Sequence, residues 1–241
     1  MKIKDSVALV TGSNRGIGRQ FVAGLLERGA RRVYAAARRS GTLKPVVGLD
    51  PTRVVAVQLD ITKPREVEAV ARVAQDLTLL INNAGVATFG TIRDTSIEAI
   101  MREMDTNYFG TLRVIRACLP ALEKNGAGTV VNILSIAALA GMPGLGGYSA
   151  SKVAAFSMTQ ALRGQLAPKG IRVHGVFPGP VDTDMAREIT LPKTDPREVA
   201  HAVLDSVEAG VDDIFPDVMS QEVGSVWLHD PKELERRFSA E

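Results

Sequence analysis

The chain has 241 residues, 45% hydrophobic and 23% charged, an ordinary globular composition with enough length for one α/β core without metal or disulfide staples. Lys plus Arg number 29 against 27 Asp plus Glu, and a formal charge of +2 excludes the footprint of a dedicated nucleic-acid binder. A single cysteine, Cys118, excludes internal disulfides and Cys-rich metal sites, and His174, His201 and His229 are scattered with no metal-ligand spacing.

The opening stretch, residues 1–6, lacks the long apolar region of a secretory signal, so a reducing, cytoplasmic setting is the expectation. Residues 7–10 then read as a first strand, ended by Thr11 and Gly12, and 15–28 as a helix with Ile17, Phe21, Leu25 and Leu26 on one face. Residues 32–37 and 54–59 read as the second and third strands. Residues 63–75 read as a helix with Thr62 as N-cap and Pro64 at its start. Residues 77–81 make a fourth strand that is apolar throughout, as expected where both faces are covered. A long helix is expected over 97–123, a fifth strand over 129–134, a helix over 148–166, and a sixth strand over 171–177, closed by Pro178-Gly179-Pro180. After residue 180 the pattern loosens, with a helix over 197–208, a short edge strand over 213–216 and a last helix over 231–238. Strands alternating with helices imply right-handed crossovers and a doubly wound, mostly parallel sheet of six to seven strands, in one domain over 1–241. Such a sheet binds ligands beyond the carboxyl ends of its strands.

Thr11-Gly12-Ser13-Asn14-Arg15-Gly16-Ile17-Gly18 lies between the first strand and the first helix. Glycines there let the backbone turn and approach a pyrophosphate, while the helix N-terminus offers free N–H groups and the positive end of its dipole. Gly-Lys-Ser/Thr is missing, which excludes the loop of a nucleoside triphosphatase. The second strand ends Ala37-Arg38-Arg39-Ser40, with no acid to hold a ribose 2′-hydroxyl. Arg15, Arg38 and Arg39 instead suit a 2′-phosphate, which guanidinium groups pair in a fork geometry. The cofactor expected is NADP(H).

From Asn125 to Ser151, 27 consecutive residues carry no charge. That is long enough for a membrane span, but glycines and Pro143 break it up. It reads instead as a buried strand, a loop carrying Ser135 and the start of a helix bearing Tyr148, with no membrane partner. Tyr148 and Lys152 lie four apart and share one helix face. A free tyrosine titrates near about 10 and is a poor base, so the neighbouring ammonium is expected to lower the Tyr148 pKa. Ser135 is placed to donate to a carbonyl oxygen as charge develops there. Gly147-Tyr148-Ser149-Ala150-Ser151 lacks the final glycine of a nucleophile elbow, which disfavours a serine hydrolase.

Taken in order, Thr11-Gly12-x-x-x-Gly16-x-Gly18, Asn82-Asn83-Ala84-Gly85, Ser135, Tyr148-x-x-x-Lys152 and Pro178-Gly179 resemble the short-chain dehydrogenase/reductase family, over about residues 5–185. The resemblance implies a Rossmann-type fold with helices on both faces. It implies Tyr148 as the catalytic acid/base, Lys152 on the nicotinamide ribose, and Ser135 on the substrate oxygen. Asn107, in Asp105-Thr106-Asn107-Tyr108, matches the fourth member, which helps relay protons through water. Asp60 and Ile61 match the adenine end, and Asn83, Ala84, Gly85, Pro178, Gly179, Val181 and Thr183 match cofactor contacts. A homo-oligomer, dimer or tetramer, is also implied. The C-terminal stretch Asp212-Asp213-Ile214-Phe215-Pro216-Asp217 departs from the branch that reduces acyl-carrier-bound β-ketoacids, and the chain is short for the extended branch acting on nucleotide sugars.

Loops 136–146 and 183–192 are expected to wall the substrate pocket with Leu139, Met142, Leu145, Met185, Ile189 and Leu191 and few fixed charges, and 183–195 to act as a lid. The activity expected is NADPH-dependent reduction of an apolar ketone or aldehyde, or oxidation of the matching secondary alcohol. The alternative is a catalytically idle dinucleotide-binding module that senses redox state. His174 and Cys118 are expected in the core, and Tyr34 and Tyr108 as packing or surface residues.

Overall fold

Val7-Ala8-Leu9-Val10-Thr11 carries no charge and all five side chains are buried, so this strand, β1 (Val7–Thr11), belongs in the middle of a sheet covered on both faces. That is its place in the computed structural model, which describes residues 1–126 and 128–240. With β2 (Arg32–Ala37), β3 (Val54–Gln58), β4 (Leu79–Asn82), β5 (Thr129–Ile133), β6 (Arg172–Val176) and β7 (Asp213–Ile214), it forms an all-parallel sheet in the order β3-β2-β1-β4-β5-β6-β7. The order reverses between β1 and β4, where Val10 sits beside Ala35 on one flank and Ile81 on the other. This is the Rossmann-type, doubly wound sheet, and its crevice opens at that reversal.

Alternation along the strands feeds two cores. Leu9, Leu80 and Val130 face α3 (Pro64–Val73), α5 (Thr111–Lys124) and α6 (Gly146–Leu166), packing with Val67, Ile115 and Leu162. Val10, Leu79 and Val131 face α1 (Gly16–Glu27) and α7 (Pro196–Ala209), packing with Phe21, Leu25 and Val203. The short α2 (Lys44–Val47), together with α4 (Ile97–Glu103), α8 (Val218–His229) and α9 (Pro231–Ser239), completes the helices of the described residues.

Three elements differ from expectation. The helix over 97–123 is α4 and α5 joined by a π-helical stretch, Met104–Gly110, in which a Cβ on Gly110 would press on the Ile61 side chain at 2.8 Å. Thr62 does not cap α3: its N–H and hydroxyl both go to Asp60 Oδ1, at 3.0 and 2.7 Å, and the helix starts at Pro64 without a side-chain cap. The loosened region after 216 holds α8, capped by Asp217.

No helix of the described residues is long and apolar enough to cross a membrane. Ala127, within the charge-free run, lies outside those residues. His174 is a core residue, its Nδ1 2.6 Å from Val211 O, and Cys118 is buried, its thiol pushed up to about 12 by desolvation. Tyr34 is buried with its hydroxyl on Asp76, and Tyr108 packs against the core under α5.

Candidate active site

A cavity of about 440 Å³ lies beyond the carboxyl ends of the central strands. Its floor begins at the glycine loop. Gly12 and Gly16 have φ of +66° and +52°, a left-handed backbone that favours glycine. Asn83 Nδ2 donates to Thr11 O and Gly12 O at 3.0 and 3.1 Å, and Thr11 Oγ1 accepts from the N–H groups of Asn83 and Ala84. The ends of β1 and β4 are thereby stitched together beneath the crevice. Gly12, Asn14, Arg15, Gly16, Ile17 and Gly18 line the cavity.

Ser13 does not line it. Its N–H and hydroxyl both bond to Ala36 O, at 2.9 and 3.2 Å, so it fastens the loop to β2. Of the two arginines after β2, Arg38 lines the cavity, while Arg39 is exposed away from it. Arg15 pairs with Asp184, which also binds Arg187. Arg15 and Asp184 are 66% and 48% exposed, so their pairing contributes only about 0–1 kcal/mol and does not bar Arg15 from an arriving phosphate. Asp60 and Ile61 line the wall after β3, Asn83, Ala84 and Gly85 the wall after β4, and Pro178, Gly179, Val181 and Thr183 the wall after β6.

Ser135, at the exit of β5, and Tyr148 and Lys152, on the first turns of α6, line the same cavity. Ser135 Oγ accepts from Ala137 N–H at 3.2 Å, which leaves its own proton to donate. Lys152 is 6% exposed; its Nζ donates to Ile133 O at 2.8 Å and lies 5.6 Å from the Tyr148 ring centroid. Burial lowers the Lys152 ammonium to about 8. The expected lowering of Tyr148 is overturned. Burial pushes its phenol up to about 12, outweighing a hydrogen bond from Ser135 that pulls it down, and the Glu103 carboxylate adds to the rise.

Asn107 does not line the cavity either. It is 2% exposed; Oδ1 accepts from Val86 N–H at 2.9 Å, and Nδ2 donates to Val86 O and Ser151 Oγ at 2.8 and 2.9 Å. With its amide committed to these partners, the side chain binds the loop after β4 to α6. Ser151 Oγ in turn donates to Tyr148 O at 2.7 Å.

Of the expected apolar wall, Met142, Leu145, Met185 and Ile189 line the cavity. Leu139 packs onto the core instead, and Leu191 is exposed outside. Phe89 and the exposed cation Arg102 join the wall unforeseen. The loop expected as a lid is fastened at its base, where Asp182 N–H bonds Thr194 O and Thr194 N–H bonds Pro180 O. Sequence reasoning also assigned no role to Ser151, Glu103 or Asp217. Asp217 had a legible signal, the spacing Asp-x-x-Ser of a reciprocal helix cap. Among the described residues no group of three or more His, Cys, Asp or Glu is arranged to hold a metal ion.

A model of short chain dehydrogenases matches residues 6–194. The chain belongs to the short-chain dehydrogenase family. Among family members, an uncharacterized oxidoreductase of Staphylococcus aureus (strain MW2) is 32% identical over 209 residues, 84% of this chain and 90% of that one. A 3-alpha-(or 20-beta)-hydroxysteroid dehydrogenase of Mycobacterium tuberculosis (strain ATCC 25618 / H37Rv) is 35% identical over 189 residues, 76% of this chain and 72% of that one. A crystal structure of a short chain dehydrogenase from Burkholderia cenocepacia J2315 in complex with NADP superposes with a TM-score of 0.93 at 44% identity, covering 99% of both chains. This short-chain dehydrogenase is accordingly an oxidoreductase.

Proposed function

We propose that this short-chain dehydrogenase is an NADPH-dependent carbonyl reductase that acts on apolar ketones or aldehydes and, in reverse, oxidises the matching secondary alcohols. The observation that carries the reading is the convergence of Ser135, Tyr148 and Lys152 on the cavity that the glycine loop floors. NADP(H) fits that floor. Gly12 and Gly18 leave no room for a Cβ against Ala84, Asn83 and the Gly12 carbonyl, which keeps the loop tight beneath the cavity they line, and Arg38 and Arg15 stand where a carboxylate would repel a 2′-phosphate. The Burkholderia relative was crystallised with NADP, which supports the same choice. When bound, the cofactor supplies the hydride.

The chain's own residues do the rest. Tyr148, pushed up to about 12, holds its proton at neutral pH and is in the form that donates. Ser135 donates a hydrogen bond to the substrate oxygen and aims it at the phenol. Lys152, as the ammonium, stabilises the phenolate left behind, and its own value of about 8 lets it give up a proton at modest cost. Asn107 and Ser151 act as positioning residues that lock the start of α6 to the loop after β4. Phe89, Met142, Leu145, Met185 and Ile189 make the substrate end apolar. The steroid alcohol named for the mycobacterial relative belongs to the same chemical class.

The test is loss of NADPH absorbance against a panel of ketones and aldehydes. Turnover is expected with NADPH in preference to NADH. Tyr148→Phe should lower kcat at least 100-fold, as expected for loss of an acid catalyst contributing roughly 10²–10⁴, while cofactor affinity stays within a few fold. Turnover surviving that change, or a lower KM for NADH than for NADPH, overturns the reading.

A further inference from the structure

Glu103 is a buried acid for which the chemistry above has no use. It ends α4, is 0% exposed, and sits one turn before Asn107. Oε1 accepts the Thr88 N–H, and Oε2, also buried, has no hydrogen-bond partner. No Lys, Arg or His among the described residues pairs with it within salt-bridge distance. Arg102 beside it is exposed, with its guanidinium 3.4 Å from Thr88 Oγ1. A charge in that setting is expensive, so what its field acts on decides whether it has a use.

The field falls on the first turn of α6. Gly147 packs so closely on Glu103 that a Cβ there would stand 2.5 Å from Oε2, and the next residue is Tyr148. Three groups therefore act on the phenol. Lys152 lies on the next turn of α6 and Ser135 at the exit of β5, while the Glu103 carboxyl at the end of α4 packs on Gly147, the residue before Tyr148. The ammonium and the hydroxyl favour the phenolate; the carboxylate opposes it. Glu103 and Lys152 are both buried, so their charges are screened less than surface charges would be.

We propose that Glu103 is a positioning residue for Tyr148, a buried negative charge behind the first turn of α6 that keeps the phenol protonated and so biases the site toward carbonyl reduction. Burial raises the Glu103 carboxyl above its ordinary range, with the Thr88 bonds and Arg102 pulling it back. Above that value the carboxylate is ionised, and the alkaline range where Tyr148 titrates is where the two negative charges meet. Removing the carboxylate charge makes the phenol a stronger acid. Reduction then fails at lower pH, and alcohol oxidation begins at lower pH.

The inference rests on the carbonyl-reductase reading, and two measurements keep the two apart. The first is kcat/KM for NADPH-dependent ketone reduction against pH, for the parent and for Glu103→Gln, which keeps the shape and the acceptor for Thr88 N–H. The alkaline limb is expected to move to lower pH by about 0.5–1 unit, a 3–10-fold loss of reduction above the limb. A purely structural role would lower the rate or the melting temperature and leave the limb in place; an unmoved limb overturns the proposal. The second is fluorine NMR of a fluorinated tyrosine at position 148, which follows phenol ionisation without turnover. The same acid-ward shift is expected in Glu103→Gln, and its absence overturns the proposal even where no carbonyl substrate is found. Should Glu103→Gln fold poorly, Glu103→Leu removes the same charge and is read by the same two criteria.

Discussion

At Gly18 an added Cβ would overlap the Gly12 carbonyl oxygen and stand 2.5 Å from Asn83 Nδ2, whereas at Gly164 nothing lies within 4 Å. The two glycines mark opposite uses of the same residue. Gly18 admits the closest approach of α1 to the turn it caps, and its neighbours are backbone and a hydrogen-bonded amide that cannot yield. Gly164 sits exposed inside α6 and only adds unfolded-state entropy. Gly18→Ala should therefore lose about 1–3 kcal/mol in urea unfolding and weaken NADP binding, by the ordinary penalty of overpacking. Gly164→Ala should gain about 0.5–1 kcal/mol and leave activity alone. Equal effects at the two sites would defeat the argument. The glycine spacing and the Tyr148–Lys152 pair were legible because each is a local pattern. Where the side chains of Ser13, Arg39 and Asn107 point could not be read, because their directions depend on chain far away. Ser13 turns to Ala36, and Asn107 to Val86 and Ser151. The sign of the Tyr148 shift was misjudged for a related reason: spacing brings Lys152 near, but spacing does not disclose desolvation.

The strands and most helices could be read from the sequence because charge-free β-branched runs and amphipathic spacing are short-range signals, and β2 falls on its expected bounds. The elements that escaped are those whose reasons lie in packing. In α8, Gly224 interrupts the apolar pattern, yet it is required because a Cβ there would meet the Phe215 ring at 2.7 Å. The turn into α4 and α5 was expected as one regular helix; its π-helical stretch lets Asn107 face Val86 and Ser151 while Gly110 clears Ile61. Asp217 joins this level to the site. Oδ1 accepts the Ser220 N–H at 2.8 Å to cap α8, and Oδ2 accepts the Gly179 N–H at 2.9 Å to hold the turn after β6. Asp217→Ala removes both bonds. It should lower stability by about 1–2 kcal/mol, the usual cost of a lost N-cap, and raise the Kd for NADP several fold, read by calorimetric titration. Parent-like stability and affinity would show that neither bond matters.

For the whole molecule, the site is held against stability rather than by it. Lys152 is a buried ammonium that donates to the Ile133 carbonyl, with no carboxylate of the described residues within salt-bridge distance, and burial lowers it to about 8 from an ordinary 10.5. A base lowered on folding destabilises the native state wherever the unfolded chain holds the proton more tightly. The penalty is complete below the folded value, fades as pH rises from about 8, and vanishes near the unfolded value. At about 1.4 kcal/mol per unit the penalty near neutral pH is roughly 3 kcal/mol, and the bond to Ile133 O returns part of it. Lys152→Met should therefore be inactive yet more stable than the parent by about 1–2 kcal/mol at pH 7 in cofactor-free unfolding. The gain should shrink between pH 8 and 10.5 as the native parent sheds the charge. A variant less stable than the parent at pH 7, or a gain unchanged across that window, would mean that the ammonium is well solvated through the cavity. Its field on Tyr148 would then be weak, and the electrostatic account of both Lys152 and Glu103 would lose its basis.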